Sequence, residues 1–209
     1  MGNVEAAFDP TSAQSLAQLK QLACGFARSL ECDHFSYFLT RLPRGQVPAE
    51  DTFLADYPDE WQARYKQRSY KFYDPVVTIS RTSRLPFYWG GRGFLQPYSK
   101  AERHVFHEAN EYRILEGYGI PTAGPEADSG IFSVIVRHRN LIHEMVAEET
   151  ARLQLFAAQF HDAAVRLIAQ DDRRNPAELT KREKEVLNWT AEGLSSEAVA
   201  ARMGLSASA

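Results

Sequence analysis

The sequence predicts an α+β fold, a mainly antiparallel sheet layered with helices, followed by a short all-α piece. Three observations carry this. Short aromatic-rich stretches occur in neighbouring pairs split by turn residues, as in hairpins. Segments with apolar residues three and four apart alternate with them. From residue 179 onward there are two capped helices and no strand pattern. The 209 residues are 44% hydrophobic, 11% aromatic and 24% charged. That suits one packed domain with part of a second, and it excludes disordered and collagen-like classes.

Ser12 to Leu30 predicts a helix, because Leu16, Leu19, Leu22, Ala23, Phe26 and Leu30 share one face. Cys24 inside it reads as a packed thiol. His34 to Arg41 is short and aromatic, hence a strand, and Leu42 to Glu50 is a loop with two prolines. Thr52 to Tyr57 is a second strand that would pair with the first. Pro58 opens a helix with Trp61 and Tyr65 one turn apart. Asp74 is a good N-cap and Pro75 a good first residue for a helix ending near Ser83. Phe87 to Trp89 is briefly extended. Ser99 and Glu102 make a capping box for a helix reaching about Leu115. Gly119 to Ala123 and Ile131 to Arg137 are strands, and Glu144 to Gln170 is a long amphipathic helix. The order α–β–β–α–α–α–β–β–α suits an α/β/α layered domain over 1–170. Asp171 to Glu178, charged and holding Pro176, reads as a linker. In residues 179–209, Thr180 and Glu183 form another capping box, Gly193 stops that helix, and a second runs from Ser195 or Ser196 to Met203. This is the start of a helix-turn-helix whose next helix is absent, an incomplete unit.

Charge and cysteines narrow the function. Lys+Arg 24 against Asp+Glu 27 leaves a net charge of −3, so bulk charge gives no argument for nucleic acid or for a polybasic membrane contact. Two cysteines, Cys24 and Cys32, are too few for a disulfide scaffold. No signal peptide, myristoylation signal or long apolar run is present, so the expectation is a cytoplasmic protein with reduced thiols and no membrane contact. His104 and His107 share a helix face, but His138 and His143 lie elsewhere, and a metal site needs further ligands. Gly90-Gly91-Arg92-Gly93 reads as a turn. Without a nucleophile elbow, P-loop or dinucleotide fingerprint, neither an enzyme nor a cofactor is expected.

Two motif sets point further. Leu179-Thr180-Lys181-Arg182-Glu183-Lys184-Glu185-Val186-Leu187, then Trp189, Ala191, Gly193, Ser195, Ala200 and Leu205-Ser206, resemble the first half of the DNA-binding domain of LuxR-type transcription regulators. Tyr57, Trp61, Tyr65, Asp74-Pro75-Val76-Val77, Trp89 and Ile120-Pro121 followed by Gly130 resemble the acyl-homoserine-lactone-binding domain of the quorum-sensing members of that family. Together the two resemblances span nearly the whole chain.

The resemblance implies a ligand-binding and dimerisation domain over 1–170 whose ligand is an acyl-homoserine lactone. Asp74 would accept the ligand amide N–H, Trp89 would donate to the lactone carbonyl and Tyr57 to the acyl carbonyl. Trp61 and Tyr65 would form aromatic walls. Ser36, Phe38, Val76, Val105, Phe106, Ala109, Ile114 and Val134 would line the rest. Each has a plainer reading: Asp74 as a helix cap, Trp89 as a core plug, Trp61 and Tyr65 as core at helical spacing. There are departures too. Many relatives carry a Ser or Thr hydroxyl near Val136, which has none, and Ser133, three residues away, is expected on the opposite face. Relatives often have Gly where Arg113 stands. Ile114 to Tyr118 resembles receptors of branched or aromatic acyl lactones.

Lys181, Arg182 and Lys184 would supply phosphate contacts, but the recognition helix is absent, so this polypeptide alone is not expected to read a promoter. Specific DNA binding would belong to a form with a complete C-terminal domain. The readings are an incomplete copy of a regulator, a short form that pairs with full-length LuxR-type partners or itself as a dimer and poisons them, and a ligand sink. A lactone-processing enzyme is the alternative of another class.

Overall fold

The computed structural model describes residues 8–43, 52–136, 147–174 and 180–204. Its elements are α1 (Leu16–Ser29), β1 (His34–Arg41), β2 (Phe53–Ala55), α2 (Asp59–Gln67), α3 (Pro75–Thr82), β3 (Phe87–Gly90), α4 (Lys100–Glu111), β4 (Glu116–Ala123), β5 (Ser129–Ile135), α5 (Ala147–Arg174), α6 (Lys181–Ala191) and α7 (Ser196–Arg202). The chain divides into two compact units, residues 1–169 and 170–209.

In the first unit, five strands make one antiparallel sheet in the order β2-β1-β5-β4-β3. The hairpin of β1 and β2 forms as expected, with Ser36 opposite Ala55. The brief Phe87 stretch is a full edge strand, which the sequence reading left out of the element order. It pairs with β4, Trp89 lying opposite Gly117, so β4 starts at Glu116 rather than Gly119.

Strand alternation gives the sheet two unlike faces. Phe35, Tyr37, Leu39, Ile120, Phe132 and Val134 turn toward α1 and α5 and pack against Leu19, Phe26, Leu153, Phe156 and Phe160. Phe132 sits among Phe35, Phe156 and Phe160 at centroid distances of 5.7, 5.5 and 5.2 Å. The other face carries Phe38, Ile131 and Ile135 beneath α2, α3 and α4.

Local chemistry sets the helix ends. α1 begins at Leu16 rather than Ser12; Ser15 caps it by accepting from the Gln18 N–H, and a separate 3-10 turn (Pro10–Ser12) precedes it. Asp74 caps α3 and Ser99 with Glu102 boxes α4, as the spacing predicts. α4 stops at Glu111, short of Leu115. There the Ile114 N–H reaches the Ala109 carbonyl and the Arg113 N–H the Asn110 carbonyl, with Arg113 left-handed at φ 61°. This double bond pattern is the Schellman closure, usually built on glycine.

On the α5 side, three strand and turn residues hold one histidine. His161 Nδ1 lies 2.7 Å from the Tyr37 hydroxyl and 3.1 Å from the Thr122 hydroxyl, and Nε2 lies 2.8 Å from an Asp128 carboxylate oxygen. His161 and Asp128 are both buried. α5 runs on through residues 171–174, which the sequence reading gave to the linker. Residues 175–179 lie outside the described residues, as do most of the 42–50 loop, the residues 137–146 before α5, with His138 and His143, and the last five positions.

In the second unit, Thr180 and Glu183 form the expected capping box and Ser195 caps α7. Gly193, at φ 87°, closes α6 with the same bond pattern that ends α4. No helix among the described residues is long and apolar enough to cross a membrane.

Candidate functional site

The second face of the sheet is the floor of a cavity roofed by α2, α3 and α4. It spans about 560 Å³ of space between atoms, part of it open to solvent. Its lining is largely apolar: Phe38, Phe53, Trp61, Val76, Val77, Val105, Phe106, Ala109, Ile114 and Ile131. Set into it are Ser36, Tyr57, Tyr65, Asp74, Trp89 and Ser133.

The floor follows from the register. Across the strands runs a row of small residues, Ala55, Ser36, Ser133 and Gly119, ended by Phe87. Beside it Ile135, Gly117 and Trp89 form a second row. The glycine makes room for the indole: a Cβ at Gly117 would stand 2.6 Å from the Trp89 ring. Trp89 thus lies flat against the floor, 3% exposed, and its indole N–H has no partner among the described residues. A buried donor without an acceptor costs free energy, about 1–3 kcal/mol.

Asp74 faces the same space. One carboxylate oxygen accepts the Val76 N–H at 2.8 Å, and the other accepts the Tyr65 hydroxyl at 2.9 Å. Burial pushes its carboxyl up to about 6, against the hydrogen bonds from Val76 and Tyr65 that pull it down. Each oxygen retains a lone pair, so capping and ligand contact are compatible. The Tyr57 hydroxyl donates to Ser36 Oγ at 3.2 Å, and burial holds its pKa well above the usual phenol value. The roof is aromatic. Trp61 meets Tyr65, Tyr70 and Tyr112 at 5.9, 5.9 and 5.6 Å, and Phe53 stacks on Tyr65 at 5.5 Å.

Of the residues the sequence nominated, Ser36, Phe38, Tyr57, Trp61, Tyr65, Asp74, Val76, Trp89, Val105, Phe106, Ala109 and Ile114 converge on the cavity. Val134 does not. It is fully buried on the opposite face against the α1 and α5 layer, because even-numbered residues of β5 point that way. The same alternation corrects the reading of Ser133. Val136 lies with the α5-side core, whereas Ser133 lines the cavity opposite Ser36. Ser133 was the residue missed, and its odd position between Ile131 and Ile135 was the available signal. Phe53, Val77 and Ile131 also line the space without having been nominated.

His104 lies on Glu108 in an ion-pair cluster with Arg68, and no cluster of metal-ligating residues occurs among the described residues. In the second unit Lys181 and Lys184 are exposed, while the Arg182 guanidinium donates to the Met203 carbonyl at 3.3 Å, tying α6 to α7.

Residues 15–164 match the family described as autoinducer binding domain, and residues 177–209 match bacterial regulatory proteins, luxR family. The transcriptional activator protein RaiR of Rhizobium etli is 29% identical over 167 residues, 79% of this chain and 68% of its own. Escherichia coli SdiA, in a structure with octanoyl-rac-glycerol, aligns at TM-score 0.62 with 20% identity, covering 99% of this chain and 85% of its own. CepR2 of Burkholderia cenocepacia, described as N-acylhomoserine lactone dependent, aligns at TM-score 0.58 with 18% identity, covering 79% and 93%.

Proposed function

The chain belongs to the autoinducer-binding, LuxR-type family of transcription regulators, and from that premise we propose that its cavity binds an acyl-homoserine lactone. Its relatives are transcriptional activators, not enzymes, and binding rather than turnover is the role of the site.

One observation carries the ligand reading. One largely apolar cavity holds a buried indole N–H without a partner among the described residues and a half-buried carboxylate. A ligand that completes this arrangement offers an acceptor to Trp89 and an N–H to Asp74, next to an apolar tail. A lactone carbonyl, an amide and an acyl chain supply those in order. Tyr57, Ser36 and Ser133 then surround the acyl carbonyl, and Trp61 and Tyr65 cover it. Val76, Val105, Phe106, Ala109, Ile114 and Phe38 take the tail. The SdiA complex suggests a second candidate, a monoacylglycerol, which offers hydroxyls but no amide N–H.

Thermal melts and calorimetry with butanoyl to dodecanoyl homoserine lactones and with octanoyl glycerol separate the two. A lactone should raise the melting temperature and the glycerol should not. Short branched or aromatic acyl groups should protect better than dodecanoyl. Trp89→Phe should leave the free protein as stable or more so, while weakening lactone binding about tenfold through one lost hydrogen bond. Equal binding by Trp89→Phe would count against the assignment. Ligand-linked dimerisation and phosphate contacts from Lys181 and Lys184 are part of the same proposal. Sedimentation with and without ligand checks the first.

A further inference from the structure

We propose that Glu108, which does not line the cavity, is the latch that holds α2 against α4 over the ligand and sets how fast ligand enters and leaves. This rests on the ligand-binding reading above. Each of the two helices carries two adjacent pairs at i, i+4 spacing. On α2, Trp61 and Tyr65 line the cavity, and Arg64 and the C-cap Arg68 stand beside them. On α4, Val105 and Ala109 line it, and His104 and Glu108 stand beside them.

The two polar pairs meet at one carboxylate. Glu108 Oε1 lies 2.8 Å from Arg68 Nη1 and 3.1 Å from His104 Nε2. Oε2 accepts the Tyr70 hydroxyl at 2.8 Å and lies 3.5 Å from Arg64 Nη1. Glu108 is 7% exposed, while the side chains of Arg64 and Arg68 are 30% and 51% exposed. Arg64 also pairs with Glu111 at 2.7 Å and lies 5.2 Å over the Tyr112 ring. Tyr70 and Tyr112 are the rings that flank Trp61. Glu108 therefore fixes the groups that position Trp61 without touching the cavity itself.

A ligand held beneath α2, α3 and α4 must pass the roof to enter and leave. The floor and the α1–α5 side are interdigitated apolar side chains, which lose their contacts when parted. The seam between α2 and α4 is lined by charges with partly exposed partners. Water replaces their interactions when they part, so this seam opens at least cost.

Stopped-flow tryptophan fluorescence of the whole chain with hexanoyl homoserine lactone tests this. Glu108→Gln keeps the shape and an acceptor for Tyr70 but removes the charge. Association and dissociation should both speed up about tenfold, with the equilibrium constant changing less than about threefold. Added NaCl should speed exchange in the original chain, and much less in Glu108→Gln or in Arg68→Gln, a milder change at a half-exposed position. Unchanged rates in both variants, an undiminished salt effect, or faster dissociation matched by an equal loss of affinity would overturn the latch. If no lactone binds, the ligand reading fails, and amide hydrogen exchange of the free protein decides the latch separately. Residues 59–67 and 100–111 should then exchange faster in Glu108→Gln while β1 and β5 do not. Equal exchange in α2 and α4 would overturn it.

Discussion

Asp74 does two things with opposite pH signs. Its carboxyl titrates near 6 in the folded protein because burial disfavours the charge, against 3.8 ordinarily. The folded state therefore keeps a proton that the unfolded state has lost. The stabilising contribution is full below about 3.8 and is lost as pH rises through 6, about 3 kcal/mol in all. Ligand binding runs the other way, since an N–H bonds more strongly to the carboxylate than to the protonated acid. Between pH 4.5 and 7 the free protein should lose stability relative to Asp74→Asn, while the ligand-induced rise in melting temperature grows. Melts of both proteins across that range check the two signs. Asp74, Trp61 and Trp89 could be read from their motif, but Ser133 could not be reached by counting back from Val136. Strand facing is set by register with β1, where Ser133 meets Ser36, and a one-residue error inverts every side chain.

The helices were legible in outline, because caps are local chemistry. Asp74, Ser99 and Thr180 cap where their spacing predicts, and of the two serines offered Ser195 caps α7. Their ends were less so. Arg113 closes α4 from a left-handed conformation that glycine adopts at no steric cost. Arg113→Gly should therefore raise stability by about 1 kcal/mol, seen as a higher denaturation midpoint with unchanged ligand affinity. The edge strand β3 was too short to identify alone. It exists because Gly117 and Gly119 let Trp89 and Phe87 lie against β4. The buried ring of His161 was equally invisible, since Tyr37, Thr122 and Asp128 come from three distant stretches. Burial lowers the pKa of His161 even though Asp128 acts to raise it, which favours the neutral ring. Asp128→Ala strands its N–H in the core and removes the acceptor of the Glu126 N–H. The expected loss is about 3 kcal/mol in urea unfolding, with amides of α5 exchanging faster.

For the molecule as a whole, the sensing unit should stand by itself. A chain of residues 1–174 should bind lactone with the affinity of the full chain. At a ligand concentration a hundred times the dissociation constant it should gain about 2.7 kcal/mol, by mass action. A tenfold weaker affinity in calorimetry would mean that the later residues shape the cavity. The layered order of this unit follows from hydrophobic periodicity and was readable, whereas which face holds the cavity depends on register. That alternation has a last consequence. Along β5, Ile131 and Ser133 touch the cavity while Phe132 and Val134 hold the sheet to α5. On the proposed ligand reading, recognition and architecture are written in alternate letters of one strand. A lineage drifting toward a new signal can rewrite the odd letters while the even ones stay fixed, so taste can change without the fold being put at risk.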